Sequence, residues 1–469
     1  MTDRKTIGVL ALGRPTFDVP FAEETARAAF AALDATGHTI VGTRDLLMDA
    51  ETAERALDGL KAEKLDLVLL LQVTFSDASM TVTIANGLDA PIAIWAFPEA
   101  RTGGRLRLNS FCGLNLAVHA LGRAGKPYAT LFAAPETADL GAALADIIEN
   151  GPASAPAQAD LPSPAPEDMA RAEQVMATLA DATIGLVGKH PAGFDTCRYD
   201  AGDLRELTGA RVRRFSLDDL FDRARTANAG EVAEARASVG TMLTGVDTLD
   251  PDQLDRSLRV HSALNDLATT DRLSAIAVRC WPETFTDYGC AACGPMAMMS
   301  EGRVPCACEA DVYGALTSLI LQALSDAPGY LVDIVDMDDA TGTGVVWHCG
   351  LAPISMASPK TPPAADIHSN RKMPLLQAFA LKPGRVTLCR LSQAKNETKL
   401  VIGGAEMQDA PMSYSGTSGV VRFDAPVDEV RARMLAEGLE HHVSLVYGDH
   451  RGALIALAEK MGLPVLVLA

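Results

Sequence analysis

Short apolar runs alternate with amphipathic stretches through residues 1–150. Ile7–Leu12, Thr39–Gly42, Leu67–Val73, Ile92–Trp95 and Tyr128–Phe132 have the length of buried strands, and Ala22–Thr36 and Ala50–Lys64 carry apolar residues at helical spacing. Alternation of this kind predicts a parallel, doubly wound sheet. Gly151–Glu167 breaks the rhythm with Pro, Ala and Ser and reads as a linker.

The alternation resumes over 168–329. A helix, Glu167–Leu179, leads into a strand, Thr183–Gly188, and a loop from Lys189 to Thr196. Helices are predicted at Ser216–Arg225 and Glu231–Thr241. A strand at Ala275–Cys280 runs into a cysteine-rich loop, and a helix at Glu309–Ser325 closes the unit. Over 330–469 the period shortens. The runs Tyr330–Asp336, Gly344–His348, Gly384–Ser392, Lys399–Gly403, Val420–Phe423 and Val443–Tyr447 are separated by turn residues and predict an antiparallel sheet or barrel. A helix at Arg451–Met461 and a strand at Pro464–Ala469 end the chain. The expected class is α/β: two doubly wound α/β domains and a β-rich, barrel-like C-terminal domain.

Composition narrows the functions. A chain of 469 residues is too long for one core. An aromatic content of only 5% suits Ala/Leu/Val-rich α/β domains. A formal charge of −19 argues against sequence-independent nucleic-acid binding and against an anionic membrane surface. It leaves a small anionic substrate open, because a pocket can differ locally from the whole surface. Met1-Thr2-Asp3-Arg4-Lys5 runs directly into a strand, with no charged leader and apolar stretch behind it, and the expectation is a cytoplasmic protein. Nine cysteines in a chain of this length are expected to be reduced thiols.

Candidate chemistry gathers in three segments: Cys308-Glu309-Ala310-Asp311-Val312-Tyr313-Gly314-Ala315, Leu331-Val332-Asp333, and His441-His442 ahead of Val446-Tyr447-Gly448-Asp449. Two carboxylates and an imidazole make an open, oxygen-rich site for Mn²⁺ or another divalent ion. Glu309 is either a metal ligand or an acid favoured by a helix N-terminus. Asp333 interrupts an apolar strand and needs a partner there. Either member of the pair His441 and His442 is equally open to a surface role. His348, at a strand end, is a structural histidine, a fourth ligand or a substrate contact. Cys290, Cys293, Cys306 and Cys308 raise the alternative of a structural zinc site. Arg279, Arg303, Arg371 and Lys372 are candidates for hydroxyl or anion binding, with solvated surface charge as the plainer reading. No P-loop and no nucleophile elbow occurs.

These segments resemble the L-fucose isomerase family, with a weaker likeness to L-arabinose isomerases. The resemblance implies metal ligands at Glu309, Asp333 and His442, and His441 falls where the fucose-type pattern has another residue. The arabinose-type likeness adds His348. It implies a Mn²⁺-dependent aldose–ketose isomerase of three domains acting through an enediol, with Glu309 and Asp333 as proton-transfer groups. It also implies a homo-oligomer whose subunits complete each other's pockets. Thr74, Phe75, Asp77 and Trp95 follow N-terminal strands, with Glu99 just beyond, and Thr74, Phe75, Asp77, Trp95 and Trp347 are the expected substrate contacts. The sugar itself stays open among a pentose, a 6-deoxyhexose and an acidic six-carbon analogue. The alternative from another class is a non-catalytic sugar-binding module.

Overall fold

The computed structural model describes residues 4–152, 154–158 and 161–469; the reading of Met1-Thr2-Asp3 and part of the linker at 151–167 lie outside them. The first sheet runs in the order Thr39–Val41, Thr6–Leu12, Leu67–Gln72, Ile92–Ala96, Tyr128–Phe132, all parallel, with Leu46–Leu47 added beside the end of Thr6–Leu12. Its strands are nearly continuous apolar runs because helices cover the sheet. From Thr6–Leu12 the chain first winds to one side and then to the other, so the switch point lies between Thr6–Leu12 and Leu67–Gln72. Loops that diverge there open a crevice beyond the carboxyl ends of the strands.

A second parallel sheet repeats this logic with four strands, in the order Cys306–Ala307, Ala275–Val278, Thr183–Val187, Arg211–Phe215. Its switch point lies between Thr183–Val187 and Ala275–Val278. The cysteine-rich segment, expected as a loop, contains a helix at Cys293–Glu301. That helix is buried on nearly every side, so it has no polar stripe to reveal a helical period.

In the C-terminal region six strands close on themselves. Thr417–Phe423, Thr343–His348, Tyr330–Asp338, His442–Tyr447, Gly384–Ser392 and Lys399–Met407 pair antiparallel in that order, and Lys399–Met407 returns to Thr417–Phe423. The helix Val312–Ser325 packs on both His442–Tyr447 and Gly384–Ser392 of this barrel and on Ala275–Val278 of the second sheet. It is apolar all round and buried almost throughout. The loop entering that helix is therefore held between two sheets. Among the described residues, no helix is long and apolar enough to cross a membrane.

Candidate active site

Glu309 follows the short strand Cys306–Ala307 and precedes the helix Val312–Ser325, whose N-cap is Asp311. Glu309 and Ala310 both adopt left-handed backbone, each with φ of 57°. Neither residue type favours that region, at a cost of about 1–2 kcal/mol apiece. Two backbone bonds hold the turn, Ala310 N–H to Val278 O and Asp311 N–H to Cys308 O, both 3.0 Å. Strain of this kind, secured from two sides, aims the Glu309 carboxylate into a cleft, where the residue keeps 9% of its surface exposed.

Asp333 reaches the same point from the barrel. In the sheet register it sits directly between Trp347 on one side and His442 on the other. His442 Nε2 lies 3.5 Å from Asp333 Oδ1 and 3.8 Å from Glu309 Oε2. The other nitrogen, Nδ1–H, donates to Asp311 Oδ2 at 2.9 Å, and Arg390 clasps Asp311 through both guanidinium nitrogens. That chain holds Nδ1 as the donor to Asp311, so Nε2 is the nitrogen that faces the two carboxylates and could bind an ion once it gives up its proton. At position 314 any side chain would collide with Asp311, whose Oδ2 lies only 2.6 Å from where a Cβ would stand, so Gly314 lets the acid sit over the helix start.

His441 also belongs to the cluster. Its Nε2–H donates to Glu309 Oε2 at 3.0 Å, and its ring centre is 3.9 Å from that of His442. It immediately precedes the strand His442–Tyr447, so strand alternation does not turn it away from its neighbour. Trp281 Nε1–H donates to Glu309 Oε1 at 3.1 Å. Burial pushes the Glu309 carboxyl up, but the hydrogen bond and charge of His441 and the charge of His442 outweigh it and leave the group below its ordinary value. Asp333 goes the other way: burial raises it despite both histidines. Burial lowers His442, yet Asp311, Asp333 and Glu309 together carry it above its usual range.

His348 approaches through a thiol. Its Nδ1 accepts from Cys349 N–H, and its Nε2 lies 2.9 Å from Cys308 Sγ. Burial, then the charge of His442, lowers His348 to about 3, so the ring is neutral. Cys290, Cys293, Cys306 and Cys308 are all free and buried. Among the described residues, Cys308 is the member of that quartet that joins a group of ligand-capable atoms, with His348 and His442.

The donor set suits a divalent ion. Asp333 Oδ1 is buried and finds no hydrogen-bond partner among the described residues. Adjacent ligands about 2.1 Å from one octahedral ion lie about 3 Å apart. The spacings at His442 Nε2, 3.5 and 3.8 Å, are wider than that. Among the described residues, the ligand atoms that lie within 4.8 Å of one another join Glu309 to His441 and His442 without Asp333, so the two carboxylates would have to draw together around an ion. Oxygen ligands and one imidazole favour a hard ion. Burial also pushes the Cys308 thiol well up, which keeps it a hydrogen-bonding S–H beside His348.

Above these groups the cleft encloses about 770 Å³, counting solvent at its mouth, and is lined by Arg14, Phe17, Phe75, Asn109, Trp281 and Arg371 among others. Arg14 and Phe75 lie just beyond the carboxyl ends of the two strands that flank the first switch point, and Trp281 just beyond Ala275–Val278 at the second. Phe17, Phe75, Phe194 and Trp281 make a continuous aromatic wall with ring centres 5.3–5.8 Å apart. Asn109 Oδ1 is a buried acceptor with no partner among the described residues. The Glu99 carboxylate accepts from the backbone N–H groups of Arg107, Leu108 and Asn109 and so holds the loop that presents it.

The expected substrate contacts divide. Phe75 and Trp347 line the cleft. Thr74 is buried beneath it, accepting from Arg14 N–H, and Asp77 is paired with the Arg14 guanidinium at 2.8 Å. Trp95 is not in the cleft: it is fully buried in the first sheet, donates to Ala133 O at 2.9 Å and packs on Phe97. The strand Ile92–Ala96 carries it inside the core before the chain turns toward the crevice. Of the four basic candidates, Arg371 lines the cleft, while Arg279 pairs with Glu283 and Arg303 with Asp326.

Comparison with known proteins gives a consistent picture. Residues 8–149 match the N-terminal domain of fucose/sulfoquinovose isomerases. Sulfoquinovose isomerase from Alkalicoccus urumqiensis is 31% identical over 86% of this chain and 86% of its own. That of Priestia megaterium is 28% identical over 98% of this chain and 99% of its own, and that of Clostridium sp. 28% over 97% and 98%. A solute-binding protein from Agrobacterium vitis solved with α-D-tagatopyranose overlaps 69% of this chain and 90% of its own at 13% identity and a TM-score of only 0.19.

Proposed function

The chain belongs to the fucose/sulfoquinovose isomerase family, a family of sugar isomerases, and from that premise we propose that it interconverts a sulfonated six-carbon aldose, sulfoquinovose, with the corresponding 2-ketose through an enediol. The observation that carries this reading is the approach of Glu309 and Asp333 to His442 Nε2, at 3.8 and 3.5 Å, beneath a cleft lined by aromatic and basic side chains. Glu309, Asp333 and His442 would hold Mn²⁺ or another divalent ion, with His348 in reserve behind Cys308. When bound, such an ion supplies charge stabilisation for the oxygen that becomes anionic during enolisation.

The protein's own groups do the rest. A carboxylate takes the proton from C2 of the open-chain aldose as the C1 carbonyl becomes a hydroxyl-bearing carbon. The carboxyl then delivers a proton to C1, in part after exchange with solvent, leaving the carbonyl at C2. Glu309 is the better placed carbon base. It is exposed to the cleft, and two donors, Trp281 Nε1–H and His441 Nε2–H, fix both of its oxygens. Asp333, raised by burial, suits the transfer between oxygens O1 and O2. The aromatic wall excludes water from the enediol, and Asn109 Oδ1 offers an acceptor to a sugar hydroxyl.

The test is isomerisation of sulfoquinovose by Mn²⁺-loaded protein in D₂O, followed by NMR. Ketose formation with deuterium entering at carbon supports a proton-transfer route. Ketose formation without any deuterium at low conversion, or no ketose at all, would defeat it. The reading also includes a cytoplasmic homo-oligomer with shared pockets. Sedimentation velocity checks the assembly, and a fully active monomer would remove it.

A further inference from the structure

The mouth of the cleft carries a positive charge that no acid answers. Arg371 is half-buried, and among the described residues no carboxylate pairs with it. Its guanidinium carbon lies 5.4 Å from the ring centres of both Trp281 and Phe285. Arg14 lies 5.1 Å from the same Trp281 ring, with one nitrogen engaged by Asp77. Two guanidinium groups thus share one indole, and Asp77 neutralises only one of them. Burying a cation without a counter-ion is unfavourable, and stacking on aromatic faces offsets only part of that cost. Burial, then the neighbouring charge of Arg14, already lowers Arg371.

The loop bearing Arg371 is built for the purpose. His368 Nδ1 accepts the backbone N–H groups of Asn370 and Arg371, and His368 N–H donates to Met373 O. Arg105 ties this loop to the other arginine's segment by donating to Asn370 Oδ1 at 2.7 Å and to Thr16 O at 2.8 Å. Arg14 and Arg371 are thereby positioned by one hydrogen-bonded frame. The indole between them touches Glu309 through its Nε1–H.

We propose that Arg371, with Arg14 beside it over Trp281, grips the sulfonate of the substrate and sets the enzyme's preference for a 6-sulfonated over a neutral aldose. A planar guanidinium presents paired N–H donors to two oxygens of a tetrahedral anion. One uncompensated positive charge answers one negative charge, so the site suits a monoanionic sulfonate better than a dianionic phosphate ester. This assignment rests on the reading of the cleft as an isomerase site for such a sugar.

The experiment is calorimetric binding of sulfoquinovose, glucose and glucose 6-phosphate to the metal-loaded protein, with Arg371→Gln and Arg371→Lys, alongside turnover of each sugar. In Arg371→Gln the affinity for sulfoquinovose falls at least 30-fold, and its ratio to the affinity for glucose collapses by a similar factor. Arg371→Lys recovers part of the loss, which distinguishes charge from folding. A ratio in Arg371→Gln within threefold of the parent's would overturn the assignment, as would binding of glucose 6-phosphate tighter than sulfoquinovose. If sulfoquinovose binds through Arg371 but no ketose forms, the grip stands and the proposed reaction fails. If ketose forms and Arg371→Gln keeps its discrimination, the reaction stands and the grip fails.

Discussion

The bottom of the cleft and its mouth are made by different means. At the bottom, Asp333 and His442 are direct cross-strand partners in the barrel, and Glu309 is clamped between that barrel and the second parallel sheet. Their relative positions follow from hydrogen-bonded register, where a slip of one residue would turn every side chain to the other face. At the mouth, Arg14, Trp281 and Arg371 come from three loops joined by side-chain hydrogen bonds and ring stacking. Register leaves little room for change, whereas loops tolerate it. Under the proposed function the difference is a division of labour: sheets would fix the reacting groups, and loops would choose the sugar.

The largest effect should come from breaking the bottom. Glu309→Gln keeps shape and removes the proposed base, so turnover should fall by about 10²–10⁴-fold while near-ultraviolet circular dichroism stays native. Near-normal turnover would reduce Glu309 to a structural acid beside a helix. Asp311→Asn tests the support behind His442. It loosens the hold on Nδ1 and leaves the Arg390 charge buried without its counter-ion. Metal affinity by competitive titration should drop by about 10–100-fold. Urea unfolding should show a loss of about 3–5 kcal/mol, the usual consequence of removing one partner of a buried pair. Stability lost with metal affinity intact would detach Asp311 from the site.

Trp281→Phe probes the joint between the two ends. It keeps an aromatic face for the arginines and removes the donor to Glu309. A hydrogen bond to a charged group contributes about 1.5–3 kcal/mol, so kcat/KM should fall by about 10–100-fold. A change in kcat shows that the loss reaches the chemistry. A change confined to KM would assign Trp281 to the mouth alone and sharpen the division.

Much of the bottom is legible in the chain; of the mouth, Phe75, Trp347 and Arg371 are legible, and Arg14 and Trp281 are not. Tyr330–Asp338 and Arg451–Met461 stand out through their own period, and Asp333 through the anomaly of an acid inside an apolar strand. His441 is not: the fucose-type pattern has another residue at its position, and only the start of the strand at His442 shows that both rings face the same carboxylate. The helices Cys293–Glu301 and Ser110–Arg123 leave no stripe because both are buried almost all round. Arg14 and Trp281 are distant in sequence and sit on loops without a motif. Their one signal is topological: each lies just past the carboxyl end of a strand at a switch point, which requires the strand order to be known.

The smallest effect belongs to a residue that sequence places at the mouth and the fold places in the core. Trp95 stands next to the carboxyl end of the strand Ile92–Ala96 of the first sheet, the region from which a substrate contact is expected. Its ring instead fills the sheet's interior at 0% exposure, with the indole N–H spent on Ala133 O. Trp95→Phe therefore deletes one hydrogen bond and leaves a small void. Unfolding free energy should fall by about 1–3 kcal/mol, measured by urea titration. Well below the melting temperature, kcat and KM should stay within twofold of the parent's, because no lining residue moves. A tenfold loss of kcat/KM at undiminished stability would contradict that. It would mean that the first sheet's face reaches a sugar through another subunit, and the mouth would then extend beyond one chain. The comparison would have to be redrawn with rigid sheets on both sides of the substrate.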